Sequence, residues 1–216
     1  MKIIFLVLAL ASASAFAQGR SSNENKSGWA LLYGRNSLND GQKQAEDLDP
    51  TGNSFKGLFT QREKFWDYGF MIRSSNATDD FTFQSTKGKF TQRDYSLGVQ
   101  AGFWAFSWLQ AHVGYAAHGL HERVSGNFTA NQKDTLKDTF GLNNTTVPGI
   151  YAGGELVLIQ KDGFQFFVNY DYYHLNSLQA HTWEGMAGVR LYFKQANVGK
   201  GNWFVKLFEG ILKPKE

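Results

Sequence analysis

The run Tyr95-Ser96-Leu97-Gly98-Val99-Gln100-Ala101-Gly102-Phe103 decides how the chain folds. Its larger apolar residues fall at every second position. Tyr95, Leu97, Val99, Ala101 and Phe103 share one face, and Ser96, Gly98, Gln100 and Gly102 share the other. Side chains alternate across a strand, so a period of two marks a β-strand with one greasy face and one small or polar face. After the tight connection Ala105-Phe106-Ser107 the pattern returns. Leu109, Ala111, Val113, Tyr115 and Ala117 alternate with Gln110, His112, Gly114, Ala116 and His118.

The same rhythm spreads outward from this pair. Trp66, Tyr68, Phe70 and Ile72 alternate with Asp67, Gly69, Met71 and Arg73. Similar alternation runs over Ile150–Leu158, Phe166–Tyr173 and Trp183–Phe193, and shorter pieces at Trp29–Arg35 and Asp80–Gln84 complete eight predicted strands. Links near 37–63, 86–90, 125–145 and 175–181 fall on one rim. The short links Ser75-Asn76-Ala77-Thr78, Ala105-Phe106-Ser107 and Gln160-Lys161-Asp162-Gly163 fall on the other. That is the layout of an up-and-down meander. The link at 125–145, with Asn127-Phe128-Thr129 and the stretch from Asp134 to Asn144, reads as a polar, mobile loop.

Composition narrows the class. The chain has 216 residues, no cysteine, 23 glycines and 16% aromatic residues, so disulfide-stapled folds and thiolate zinc sites are excluded. A formal net charge of +3 is too weak a bias to point to nucleic acid. Lys2, the apolar run Ile3–Leu10 and the small-x-small pattern Ala15-Phe16-Ala17 read as a secretory signal peptide over residues 1–17. After it, no apolar stretch of about 18 residues occurs that would form a spanning helix.

Polarity then separates two kinds of barrel. The faces opposite the large apolar residues carry Asp67, Arg73, Glu155, Asp171, Glu184 and Arg190. Burying six charges in the apolar core of a soluble barrel is costly unless each is paired. Turned into the narrow interior of a transmembrane barrel they satisfy one another as a lumen polar network, while the greasy face meets lipid. Tyr151, Phe167, Tyr173 and Tyr192 also point inward and obstruct the passage, which argues against a large-pore porin. The expected fold is therefore all-β, an eight-stranded antiparallel up-and-down transmembrane β-barrel followed by a short C-terminal amphipathic helix.

These features resemble the small bacterial outer-membrane barrels of the OmpA-transmembrane, OmpX and OmpW kind. The resemblance covers residues 28–193 and is architectural, with Gly188-Val189-Arg190-Leu191-Tyr192-Phe193 looking like the terminal-strand assembly signal of that class. It implies residence in the bacterial outer membrane. It also implies insertion by the outer-membrane assembly machinery through Gly188, Leu191 and Phe193, and contact with outer-membrane lipids and lipopolysaccharide. Beyond these partners it allows a small hydrophobic solute or a surface ligand. One departure is that this chain runs on past Phe193. In the expected organisation a periplasmic segment at 18–27 precedes the barrel and a periplasmic tail occupies 194–216. There Trp203, Phe204, Leu207, Phe208, Ile211 and Leu212 recur at helical spacing and suit a helix lying on the membrane interface.

The expected role is structural, surface-interaction or small-solute passage, without enzymatic activity. The alternative is a lipid-modifying enzyme, a lipid A acyl hydrolase or acyltransferase, using the outer-rim set His174, His181, Ser177 and Glu184. No His-x-Ser pair resembles the lipid A deacylases. No His-x-His or HxxxH spacing points to a metal, and no motif calls for a cofactor.

Overall fold

The computed structural model describes residues 26–39, 48–63, 65–142, 144–161, 163–176 and 180–194. Eight strands form a closed antiparallel barrel in chain order. They are β1 (Lys26–Asn39), β2 (Thr51–Glu63), β3 (Trp66–Phe83), β4 (Thr86–Phe106), β5 (Leu109–Gly126), β6 (Asn144–Lys161), β7 (Phe164–Leu175) and β8 (Ala180–Lys194). The seam is full length, with β1 pairing β8 from Lys26↔Lys194 to Asn39↔His181. One helix, α1 (Ala130–Phe140), lies between β5 and β6. Residues 1–25 and the tail from 195 to 216 lie outside the described residues, and with them the signal peptide and the amphipathic helix through Trp203, Phe204, Leu207, Phe208, Ile211 and Leu212.

The strand count of eight agrees with the sequence reading, but two boundaries need correction. The first link at 37–63 contains β2, and Ser75-Asn76-Ala77-Thr78 is continuous strand, so the predicted strand Asp80–Gln84 is the upper end of β3 up to Phe83, with Gln84 in the turn that follows. Ser75, Asn76, Ala77 and Thr78 pair with Asp94, Arg93, Gln92 and Thr91 of β4, which satisfies their backbone groups better than a turn does. The inner connection before β3 lies instead between Glu63 and Trp66, and β3 joins β4 through Gln84-Ser85.

Alternation produces two unlike surfaces. On the outside sit Trp29 at 59% exposure, Ile72 at 67% and Leu97 at 63%, with Trp66, Val113, Ile150 and Leu191 also exposed. The apolar run Tyr95–Phe103 gives this belt a height of roughly 21 Å, from a rise of about 3.4 Å per residue and a strand tilt near 40°. Such a belt suits hydrocarbon and does not suit water.

Above the belt β3, β4 and β5 continue as a taller extension, and its inner side is apolar. Leu38, Phe90, Leu120, Val147 and Leu175 from five strands meet Leu136 and Phe140 of α1 in one buried cluster over the outer mouth. Phe81 stacks on Phe128 at 5.8 Å and meets Phe140 edge-on at 4.9 Å. The link read as a mobile polar loop is therefore an ordered cap. Its helix starts at Thr129, whose Oγ1 accepts from the Gln132 amide at 3.3 Å while Gln132 Oε1 accepts from the Thr129 amide at 2.9 Å. It ends at Gly141, held at φ 53°, where glycine carries no Cβ penalty.

Candidate functional site

Three polar layers fill the lumen below the cap. In the upper layer the Arg73 guanidinium donates through Nε to Glu184 Oε1 at 2.7 Å, and it also pairs with Asp94. It donates further to Ser96 Oγ at 3.1 Å and Ser75 Oγ at 3.0 Å, and its plane lies 4.5 Å over the Tyr173 ring. Ser54 Oγ donates to Glu184 at 2.5 Å, and His118 Nδ1 lies 2.9 Å from Asp94 Oδ2 and 3.0 Å from Ser96 Oγ. This cluster ties β2, β3, β4, β5 and β8 across the barrel.

The middle layer centres on Asp171. Its carboxylate accepts from Lys56 Nζ at 2.7 Å and Tyr173 Oη at 3.2 Å, and contacts His112 Nε2 at 2.7 Å. Lys56 is 0% exposed, which a lysine tolerates only with such a partner. Tyr151 stacks on Tyr173 at 5.0 Å. Room for it comes from Gly114, where a Cβ would sit 2.2 Å from the Tyr151 ring. In the lower layer Arg190 pairs with Glu155 at 2.8 Å, donates to Gln165 Oε1 at 3.3 Å and lies 4.6 Å over Phe167. Asp67 accepts from Trp104 Nε1 at 3.4 Å.

The six charges singled out from the sequence are thus buried inside the barrel, but divided among three layers. Arg73 and Glu184 meet, Arg190 and Glu155 meet, and Asp171 and Asp67 are paired with other residues. Lys56, Asp94, His112 and His118 complete the layers. His112 and His118 already stood on the small-polar face of the β5 run. Asp94 was legible one step beyond Ser96 by the same parity. Lys56 was hidden because β2 was not recognised as a strand.

Of the outer-rim set, the structure brings His174 and His181 together and sets Glu184 apart from them. His174 and His181 face each other across β7 and β8 on the outer surface, with Nδ1 atoms 3.0 Å apart. Glu184 lies on the opposite face of β8, buried in the upper lumen layer. Residues three apart on a strand project to opposite sides, so the wall separates His181 from Glu184. Ser177 lies outside the described residues.

On β8 the three terminal-signal residues also divide by face. Leu191 and Phe193 are 50% and 49% exposed on the outer face. Gly188 points inward, where a Cβ would meet Leu32 Cγ at 2.6 Å.

Outside the upper layer, β4 and β5 present Lys87, Lys89, Arg93, His121 and Arg123, all exposed. Arg93 pairs opposite His121, and Asp80 of β3 lies opposite Lys89. Just below Arg93 and His121 is a groove of about 440 Å³ lined by Phe55, Ile72, Tyr95, Leu97, Ala117 and Gly119.

No protein-family model and no curated protein matches the sequence. Solved structures match its fold. Ail, the attachment invasion locus protein of Yersinia pestis, aligns over 79% of this chain and 99% of its own at 13% identity, with a TM-score of 0.50. The outer membrane protein OprG from Pseudomonas aeruginosa aligns over 81% and 98% at 12% identity and 0.43. Neisserial surface protein A aligns over 78% and 97% at 14% identity and 0.41. The chain has the fold of the small eight-stranded bacterial outer-membrane β-barrels, with the lipid-facing belt and polar interior that such a location requires.

Proposed function

We propose that the protein is a surface-interaction barrel that works through its outer extension and lipid-facing rim, not through its lumen. The observation that carries this reading is the apolar cap. Leu136 and Phe140 of α1 close the outer mouth against five strands, above a lumen already filled by three layers of paired charges and stacked tyrosines. On this reading Asp67, Arg73, Glu155, Asp171, Glu184 and Arg190 are structural cross-links. The outward faces of Leu191 and Phe193 serve insertion by the assembly machinery.

The partner is the anionic headgroup region of the outer leaflet, supplied by lipopolysaccharide. Two features support it. Arg93, His121 and Arg123 start a basic ladder just above the belt, where phosphate groups are met, and Lys89 and Lys87 continue it up the extension. The apolar groove beneath, with Phe55, Ile72, Tyr95 and Leu97 on its walls, fits an acyl chain of the same molecule. A joint Arg93→Glu and Arg123→Glu variant in detergent is expected to bind lipopolysaccharide more weakly, and added salt is expected to weaken the native protein in the same direction. Unchanged binding in that variant, or steady ion conductance by the native protein in a planar bilayer, would contradict this function.

A further inference from the structure

We propose that His174, His181 and Tyr172 form a surface site for a divalent transition-metal ion of the Cu²⁺ type, at the outer rim of β7 and β8. The site is independent of the basic ladder, which lies on β4 and β5. His174 and His181 are direct cross-strand partners. Their Nδ1 atoms are 3.0 Å apart while their ring centroids are 4.8 Å apart, so the nitrogen-bearing edges face each other. Both rings are half-buried, and their planes differ by only 25°. Tyr172, two residues before His174 and diagonal to His181, brings its hydroxyl to the same His181 Nδ1.

Three heteroatoms therefore converge where hydrogen bonding serves them poorly. His181 Nδ1 carries either one proton or one lone pair, so it makes one good linear bond with its two neighbours, not two. A cation takes a lone pair from each of the three at once. With metal–nitrogen bonds of about 2.05 Å, nitrogens at the observed 3.0 Å separation subtend about 94° at the metal. That is close to the right angle of a tetragonal site and well short of a tetrahedral one, and it selects Cu²⁺ over Zn²⁺ in the direction the Irving–Williams order also favours.

Among the described residues no group of three or more His, Cys, Asp or Glu converges on a metal position, and the third donor here is a phenol. The remaining coordination positions fall to water, because this pair stands two residue pairs above Tyr172 and Trp183, at the polar edge of the belt. Binding takes neutral imidazoles and releases the phenol proton of Tyr172 to solvent, so uptake of the ion is accompanied by proton release. No electron transfer is involved.

The test uses tag-free, full-length protein in detergent, stripped of metal by chelator and titrated with copper(II) chloride. Trp183, whose ring centroid lies 4.4 Å from that of Tyr172, reports occupancy by fluorescence quenching. Saturation at one ion per chain is expected, with a tetragonal electron paramagnetic resonance signal showing coupling to two nitrogens. Tyr172→Phe should weaken binding by about 10-fold. The joint His174→Ala and His181→Ala variant should lose the saturable step, while His121→Ala keeps it. An unchanged gel shift between unboiled and boiled samples shows that each variant is still a folded barrel. Absence of a one-to-one step in the native protein, or its survival in the double-histidine variant, would overturn the assignment.

Discussion

Arg73 stands between two carboxylates, Asp94 and Glu184, in a space sealed from water. Its removal leaves both anions buried without their cation, the costly half of breaking a buried pair. Arg73→Met is expected to destabilise the barrel by about 3–5 kcal/mol, read from urea unfolding in lipid vesicles. A companion variant that also changes Glu184→Gln and Asp94→Asn should recover much of the loss, because it removes the stranded charges. If Arg73→Met alone is neutral, the upper layer is not holding the strands together. A second residue-scale expectation concerns the β3–β4 turn. Gln84 and Ser85 both have positive φ, at 47° and 67°, in a two-residue hairpin loop. That conformation favours Asn-Gly. Gln84→Asn with Ser85→Gly should stabilise the hairpin by about 1 kcal/mol, seen as slower amide exchange at Phe83 and Thr86.

Helix α1 behaves as a lid built from local signals plus two buried side chains. Leu136 is 0% exposed, so Leu136→Ala should lower the opening free energy of the cap by about 2–5 kcal/mol. Hydrogen exchange should quicken across α1, with the β7–β8 amides in the belt unaffected; a uniform loss would mean that cap and barrel unfold as one unit. The signals for this helix were present in the chain, since Thr129 and Gln132 form a capping-box pair. The surrounding Asn, Lys and Asp residues masked them, because only Leu136 and Phe140 face inward. β2 was hidden for a different reason. Its outward face carries only Phe55 and Phe59 as large apolar residues, and Lys56 among the inward ones dilutes the alternation. The upper half of β3 lost its period because above the belt neither of its faces meets lipid. Where lipid and lumen do bracket a strand, as in Tyr95–Phe103, the alternation was plain. The lumen layers, by contrast, join residues from four or five strands at a time. Which charge meets which is fixed by register and strand tilt, neither of which a single strand's sequence carries.

At the scale of the whole molecule, an outer belt, a filled lumen and an apolar cap make one object. Lipid holds the wall from outside, and paired charges brace it from inside. The extension of β3, β4 and β5 offers the rim and top for contact with the surroundings. This arrangement follows from inverting the usual placement of apolar and polar side chains, which the eight alternating strands require once they close in a membrane. The most direct check exploits the absence of cysteine from the chain, by placing single cysteines at neighbouring positions on opposite faces. Ser96→Cys, Leu97→Cys and Lys89→Cys would each be reconstituted in vesicles and treated with a membrane-impermeant maleimide. The account predicts rapid labelling at position 89 and protection at both 96 and 97. A fluorophore attached at 97 before reconstitution should then be quenched by brominated lipid chains. Rapid labelling at 96 would mean an open lumen, and rapid labelling at 97 would mean that the greasy face does not meet lipid.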